Sequence, residues 1–128
     1  MKKIRLLIVD DHAVVRLGLR TLLSDEPDLD VVAEAGSAEE ALKQIEVCHP
    51  DVVILDIQLP GRSGIEVCRE IRDLFPTTKV VILTSHAGEN YLEQAMRAGA
   101  AGYVLKQVGN EELIRAIRAA HRGEVALD

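Results

Sequence analysis

The sequence predicts an α/β domain, a parallel sheet of five strands with helices on both faces. Three observations carry this. Short runs that are apolar throughout alternate with longer runs whose apolar residues recur every three or four positions. Strands apolar on both faces must be covered on both, which is the habit of parallel sheets. The order strand then helix repeats five times in 128 residues, a length that fits one domain.

The elements follow in order. IRLLIV, Ile4 to Val9, reads as a buried first strand. In HAVVRLGLRTLLSDE, Val15, Leu19, Leu22 and Leu23 share one helical face, with Arg16 and Arg20 off it and Pro27 just past the end. DVVAEA, Asp30 to Ala35, is a short second strand. SAEEALKQIEV opens with a capping box, Ser37 at the N-cap and Glu40 three residues on. DVVILD is the third strand, and IQLPGRSG is a loop. IEVCREIRDLF begins a stripe of Ile65, Cys68, Ile71 and Arg72, and Pro76 follows it. KVVILTS is the fourth strand. GENYLEQAMRAGA is a helix whose inner face, Leu92, Ala95, Met96 and Gly99, is small and weakly apolar. GYVLK is the fifth strand, and NEELIRAIRAAHRG is a closing helix with Asn110 as N-cap and Gly123 as its stop. Right-handed crossovers leave few topologies, and the flavodoxin-like order 2-1-3-4-5 suits five units. Residues 1–123 form the domain, and 124–128 read as the start of a linker.

Composition narrows the function. Apolar residues make up 48% and aromatics 2%, so the core is built from Val, Ile, Leu and Ala. A net charge of -6 suits a bound cation better than the phosphates of a nucleic acid. Cys48 and Cys68 lack metal-ligand spacing and read as small apolar helix residues in a reducing compartment. No signal peptide and no apolar run of membrane-spanning length is evident, which implies a cytoplasmic location without a membrane partner.

In an open parallel sheet, ligands bind beyond the carboxyl ends of the strands, where the strand order reverses. Asp10 and Asp11 end strand one, Asp56 ends strand three, Thr84 and Ser85 end strand four, and Lys106 ends strand five. Three carboxylates, a hydroxyl and an ammonium therefore gather on one edge. Carboxylates so close must bind protons or a cation. An all-oxygen set favours Mg²⁺, which keeps waters and takes a substrate phosphate. The third carboxylate can then act as nucleophile and form an aspartyl phosphate, with Lys106 and Thr84 stabilising the transferring oxygens. Ser85 is small and leaves room. Each residue also has a plainer reading: helix caps for Asp10 and Asp11, a β-branched strand residue for Thr84, a solvated strand end for Lys106. Their convergence on one edge favours chemistry. Asp30 and Asp51 begin strands and read as structural.

LLIVDDH, VVILDIQLPGRSGIEV, VVILTSH and AGAAGYVLK together resemble the receiver domain of two-component response regulators. VDDHAVVRLGLRTLL and GSAEEAL resemble the LuxR/NarL/FixJ-type subfamily, whose members usually carry a helix-turn-helix DNA-binding domain after the receiver. The resemblance implies that Asp56 is the phosphoacceptor, served by a sensor histidine kinase. It implies that Asp10, Asp11, Asp56 and the backbone carbonyl of Gln58 hold Mg²⁺, that Thr84 and Lys106 contact the phosphoryl group, and that Tyr103 changes rotamer on activation. Read without the resemblance, Tyr103 is a half-buried strand aromatic. Gln58 and His86 would tune dephosphorylation, although His86 reads equally as an exposed loop residue. A homodimer on phosphorylation is implied, with contact to DNA only through a domain beyond this chain. Gln107 stands where many receivers have proline. A haloacid-dehalogenase-type phosphatase also uses a strand-end Asp, but it needs a second Asp where this chain has Gln58. The reading is thus a switch and not an enzyme, with a receiver-like interaction module that takes no phosphate as the alternative.

Overall fold

The computed structural model describes residues 2–85, 89–106 and 109–127. Five strands, β1 (Ile4–Val9), β2 (Leu29–Ala35), β3 (Val52–Leu55), β6 (Lys79–Thr84) and β7 (Gly102–Leu105), form a parallel sheet. A hairpin, β4 (Gln58–Leu59) with β5 (Arg62–Ser63), lies between β3 and α3. The helices are α1 (Ala13–Ser24), α2 (Ala38–Cys48), α3 (Gly64–Leu74), α4 (Glu89–Arg97) and α5 (Asn110–His121). The order is β2-β1-β3-β6-β7, as the sequence predicts, and a two-residue strand β8 (Ala126–Leu127) adds to β7 at the edge.

Alternation along each strand divides the core into two layers. Leu7, Val9, Val53, Leu55, Ile82 and Tyr103 face α2, α3 and α4, where Ala41, Ile45, Cys68, Ile71 and Ala95 meet them. Leu6, Ile8, Ile54, Val81, Leu83 and Val104 face α1 and α5, meeting Leu23, Leu113 and Ile117. Both layers are almost wholly aliphatic, and each fully buried Leu or Ile contributes roughly 1.5–3 kcal/mol. The two layers fix the sheet between them and hold the strand tips in place.

The helix ends follow local chemistry. Ser37 Oγ accepts the Glu40 amide at 3.2 Å, and Glu40 Oε1 accepts the Gly36 amide at 3.2 Å, one residue earlier than in an ideal capping box. The N-cap of α5 is Gly109, at φ 101°, with Asn110 its first helical residue. Gly123, at φ 83°, ends α5 as expected. The inner face of α4 keeps Leu92 and Ala95 of the four residues expected there, leaves Met96 half-buried, and adds Tyr91 and Ala98. Ala95 and Ala98 are buried and Tyr91 and Leu92 pack on the core, whereas Gly99 is exposed at φ 94° beyond the helix end. The stretch IQLPGRSG, expected as loop, closes into its hairpin around Gly61 at φ 73°.

At the amino edge of the sheet, Asp51 Oδ2 accepts the Arg5 amide at 2.9 Å, the structural role expected for it. Nearby, Arg118 of α5 donates to both carboxylate oxygens of Asp28 at 2.9 Å and to Glu26 at 2.8 Å. This fork ties α5 to the α1–β2 turn. Both cysteines are free. Burial, only partly opposed by Arg72 and Arg69, pushes the Cys68 thiol up to about 11. No helix among the described residues is long and apolar enough to cross a membrane.

Candidate functional site

The first residue after β1 is Asp10, and the first after β3 is Asp56. These strands are neighbours in parallel register, Val9 beside Leu55, so their tips emerge side by side. Thr84 ends β6 and pairs with Leu105, the residue before Lys106. The sheet thus brings Asp10, Asp11, Asp56, Thr84 and Lys106 to one edge. Asp10, Asp56 and Thr84 are the three buried polar residues among those described.

Lys106 Nζ lies 3.2 Å from Asp10 Oδ2 and 3.8 Å from Asp56 Oδ2. Asp56 Oδ1 accepts the Gln58 amide at 3.2 Å. Asp10 Oδ1 accepts the His12 amide at 2.9 Å and lies 3.0 Å from His12 Nδ1. That ring nitrogen also lies 3.1 Å from Asp11 Oδ1. Asp10, Asp11, His12 and Asp56 each offer one ligand atom within 4.8 Å of the others. Asp10 is no cap in the usual sense. It turns back on the amide of His12, which is the N-cap of α1 and caps with no side-chain hydrogen bond.

The two buried carboxylates differ electrically. Burial raises the Asp56 carboxyl above its ordinary value, and the Asp10 and Asp11 charges add to it; the Gln58 amide and Lys106 only partly oppose this. Burial acts the same way on Asp10, but hydrogen bonds from the His12 amide and ring, with Lys106, outweigh it and hold that carboxyl low. Asp10 is the better stabilised anion and Asp56 the poorly solvated one. Their charges, with that of Asp11, face one lysine, so the site is set to receive a cation.

Two further residues hold this arrangement. Arg16 of α1 donates to the Asp10 carbonyl at 2.6 Å and pairs with Glu34 of β2 at 3.1 Å, locking the acidic loop to the sheet. Gly64, the first residue of α3, packs on the backbone behind Asp56. A methyl group there would lie 2.7 Å from Ile57 Cα and closer still to the Asp56 carbonyl oxygen. The Gly64 amide donates to the Ile57 carbonyl at 2.6 Å. Tyr103 is only 3% exposed, more buried than expected, and lies in the layer with Ala95 and Ala98; burial raises its phenol pKa. His86 and Gln107 lie outside the described residues.

Comparison with known proteins agrees with this geometry. The profile of the response regulator receiver domain matches residues 6–118. The chain belongs to the response regulator receiver family. This receiver is 43% identical over 125 residues to the DNA-binding transcriptional activator DevR/DosR of Mycobacterium tuberculosis, covering 98% of this chain and 58% of that protein. It superimposes at a TM-score of 0.93 on a LuxR-family two-component response regulator from an Aurantimonas species, with 41% identity over 98% of this chain and 89% of the other. The isolated receiver of Salmonella enterica RcsB, determined in the presence of the phosphomimetic BeF3-, superimposes at 0.91 with 25% identity, covering 99% of this chain and 94% of the other. The Aurantimonas protein is of the LuxR family, and the receiver spans little more than half the length of the curated activator.

His12, Arg16 and Gly64 are the residues that the sequence reading passes over. Arg16 carries a faint signal, a charge on the flank of α1. Gly64 carries a better one, a second glycine closing a strand-to-helix loop. The His12 side chain carries none until the turn at Asp10 is seen.

Proposed function

We propose that this receiver is a phosphorylation-controlled switch in which Asp56 takes a phosphoryl group from the phosphohistidine of a sensor histidine kinase. The observation that carries the reading is the seat of Asp56. It is a buried carboxylate at the tip of β3, beside two other acids and 3.8 Å from Lys106 Nζ. One Asp56 oxygen attacks phosphorus, the phosphorus–nitrogen bond of the donor breaks, and its electron pair stays on the imidazole, which takes up a proton. The product is an aspartyl phosphate. A carboxylate stripped of water is the better nucleophile.

The donor set fits Mg²⁺, being rich in carboxylate oxygen. Asp10, Asp11, Asp56 and the Gln58 carbonyl would hold it, and when bound it would offset charge between the acids and the phosphoryl oxygens. Thr84 and Lys106 take the new phosphoryl oxygens. Gln58 and His86 govern access of water to the phosphoryl group. The change reaches α4 through Tyr103, and the surface of α4, β7 and α5 then favours a homodimer. A preference of a few kcal/mol between two states is enough to shift the population. Residues 124–128 lead to a helix-turn-helix domain that binds DNA in the cytoplasm. The similarity to a DNA-binding activator, of which the receiver spans 58%, supports this output.

The test is intact mass after incubation with Mg²⁺ and acetyl phosphate. The chain has no tryptophan, so fluorescence quenching is no substitute. One phosphoryl group is expected, absent in Asp56→Asn and in EDTA. A folded chain that gains none, from acetyl phosphate or from a phosphorylated histidine kinase, is instead an interaction module that takes no phosphate.

A further inference from the structure

We propose that Arg62 is a positioning residue for Asp56: it grips α3 and so fixes the hairpin whose Gln58 orients the Asp56 carboxylate. The inference rests on reading Asp56 as the phosphoacceptor. Gln58 touches Asp56 directly, its amide donating to Oδ1 at 3.2 Å. It stands on a hairpin of two residues per strand, too short to hold its own shape. The hairpin therefore takes its place from what grips it. Pairing sets Leu59 opposite Arg62, so these two side chains leave the ribbon on the same face. Leu59 is buried in the layer that holds Ile65 and Cys68 of α3. The Arg62 side chain, 25% exposed, donates to Glu70 of α3 and lies 4.0 Å from Glu66, one turn earlier on that helix. An apolar contact such as that of Leu59 has no direction, whereas the bond to Glu70 fixes where along α3 the hairpin sits.

Charge separates position from field. If Arg62 acted through its field, removing its positive charge and removing the negative charge of Glu70 would change the uptake of an anionic donor in opposite directions. Acting through position, both removals loosen one tether. Both then slow uptake, and losing the pair costs no more than losing either partner.

The test is the rate of phosphoryl uptake from acetyl phosphate at saturating Mg²⁺, in the parent, Arg62→Met, Glu70→Ala and the double variant. Hydrogen exchange at the Gln58 amide and urea denaturation accompany it. Each single variant should slow uptake about threefold, the scale of a partly exposed ion pair. The double variant should match them, and Arg62→Lys should recover part of the loss. Exchange at Gln58 should quicken by a similar factor while the urea midpoint barely moves. Unchanged uptake, or opposite changes in the two single variants, would overturn the proposal while Asp56 remains the acceptor. Slower uptake without faster exchange at Gln58 would overturn it as well, because the hairpin would then be undisturbed. A parent chain that takes no phosphoryl group overturns the acceptor reading and the proposal together.

Discussion

Gly64→Ala separates two physical expectations of opposite sign. Alanine is the better helix former by about 1 kcal/mol, so propensity alone favours the variant. The structure opposes it, because the added methyl meets backbone, with Ile57 Cα at 2.7 Å and the Asp56 carbonyl closer still. Ordinary contact between carbons is about 3.5 Å or more, so the β3–α3 connection must move by at least about 0.8 Å. Overpacking in a tight site costs about 1–3 kcal/mol. Backbone cannot swing aside like a side chain, so the upper figure applies and the net loss is about 2 kcal/mol. For a chain of this size that lowers Tm by about 8 °C. The same displacement carries Asp56, and misplacing a reacting group by about 1 Å can cost about a hundredfold in rate. Urea denaturation and the rate of acetyl phosphate uptake are the assays, with Gly61→Ala as comparator. Gly61 has open space around its φ of 73° and should lose only about 1 kcal/mol, with little effect on uptake. A Gly64→Ala chain as stable as the parent and equally fast would refute the close-approach argument. A chain that is less stable but equally fast would break the link to Asp56.

Three further outcomes follow from separate contacts. With its pKa near 11, Cys68 should resist an aromatic disulfide reagent at pH 8, so that Cys48 alone reacts until the chain unfolds; equal rates at both thiols would contradict the burial. Hydrogen bonds from Arg118, ahead of the opposing effect of burial, hold the Asp28 carboxyl below its ordinary 3.8. Its contribution to stability is present above that value and lost as pH falls through the lower folded value. Asp28→Asn should thus cost about 1 kcal/mol at neutral pH, discounted for the partial exposure of the pair, and the deficit should close in acid; a deficit that is constant with pH points to another cause. Arg16→Met frees the Asp10 carbonyl and should weaken Mg²⁺ binding about tenfold. Lost stability with Mg²⁺ affinity unchanged would make Arg16 purely structural.

Much of this was legible in the sequence because parallel sheets leave few choices. Runs such as VVIL can only be buried on both faces, and polar residues directly after such runs must share the carboxyl edge. Asp10, Asp56, Thr84 and Lys106 are found that way. Arg16, His12 and Gly64 are not, for three different reasons. Arg16 acts through Glu34, eighteen residues away, and the pairing needs the register that sets Ile8 beside Glu34. His12 depends on a backbone turn that the Asp10 side chain itself creates. Gly64 answers to a backbone approach, and a sequence shows the glycine but not what it is close to. The face of α4 departs from expectation at Gly99 because the helix stops at Arg97, and Ala98 turns inward beyond it.

The charge balance of the site ties its chemistry to β7. Lys106 divides its ammonium between Asp10 at 3.2 Å and Asp56 at 3.8 Å, the nearer partner being the carboxyl whose pKa is held low. An aspartyl phosphate would put more negative charge on the Asp56 side, and Lys106 would then be drawn from Asp10 toward it. Lys106 directly follows β7, and Tyr103 sits three residues back on that strand, buried in the same layer as Ala95 and Ala98. The fully buried α4-side residues there, Ala95 and Ala98, are small, so few buried contacts hold that helix to the sheet. Tyr103 is also paired with Leu127 of β8. On the proposed function, a shift of β7 toward the phosphoryl group would therefore be felt at α4 and at β8 together.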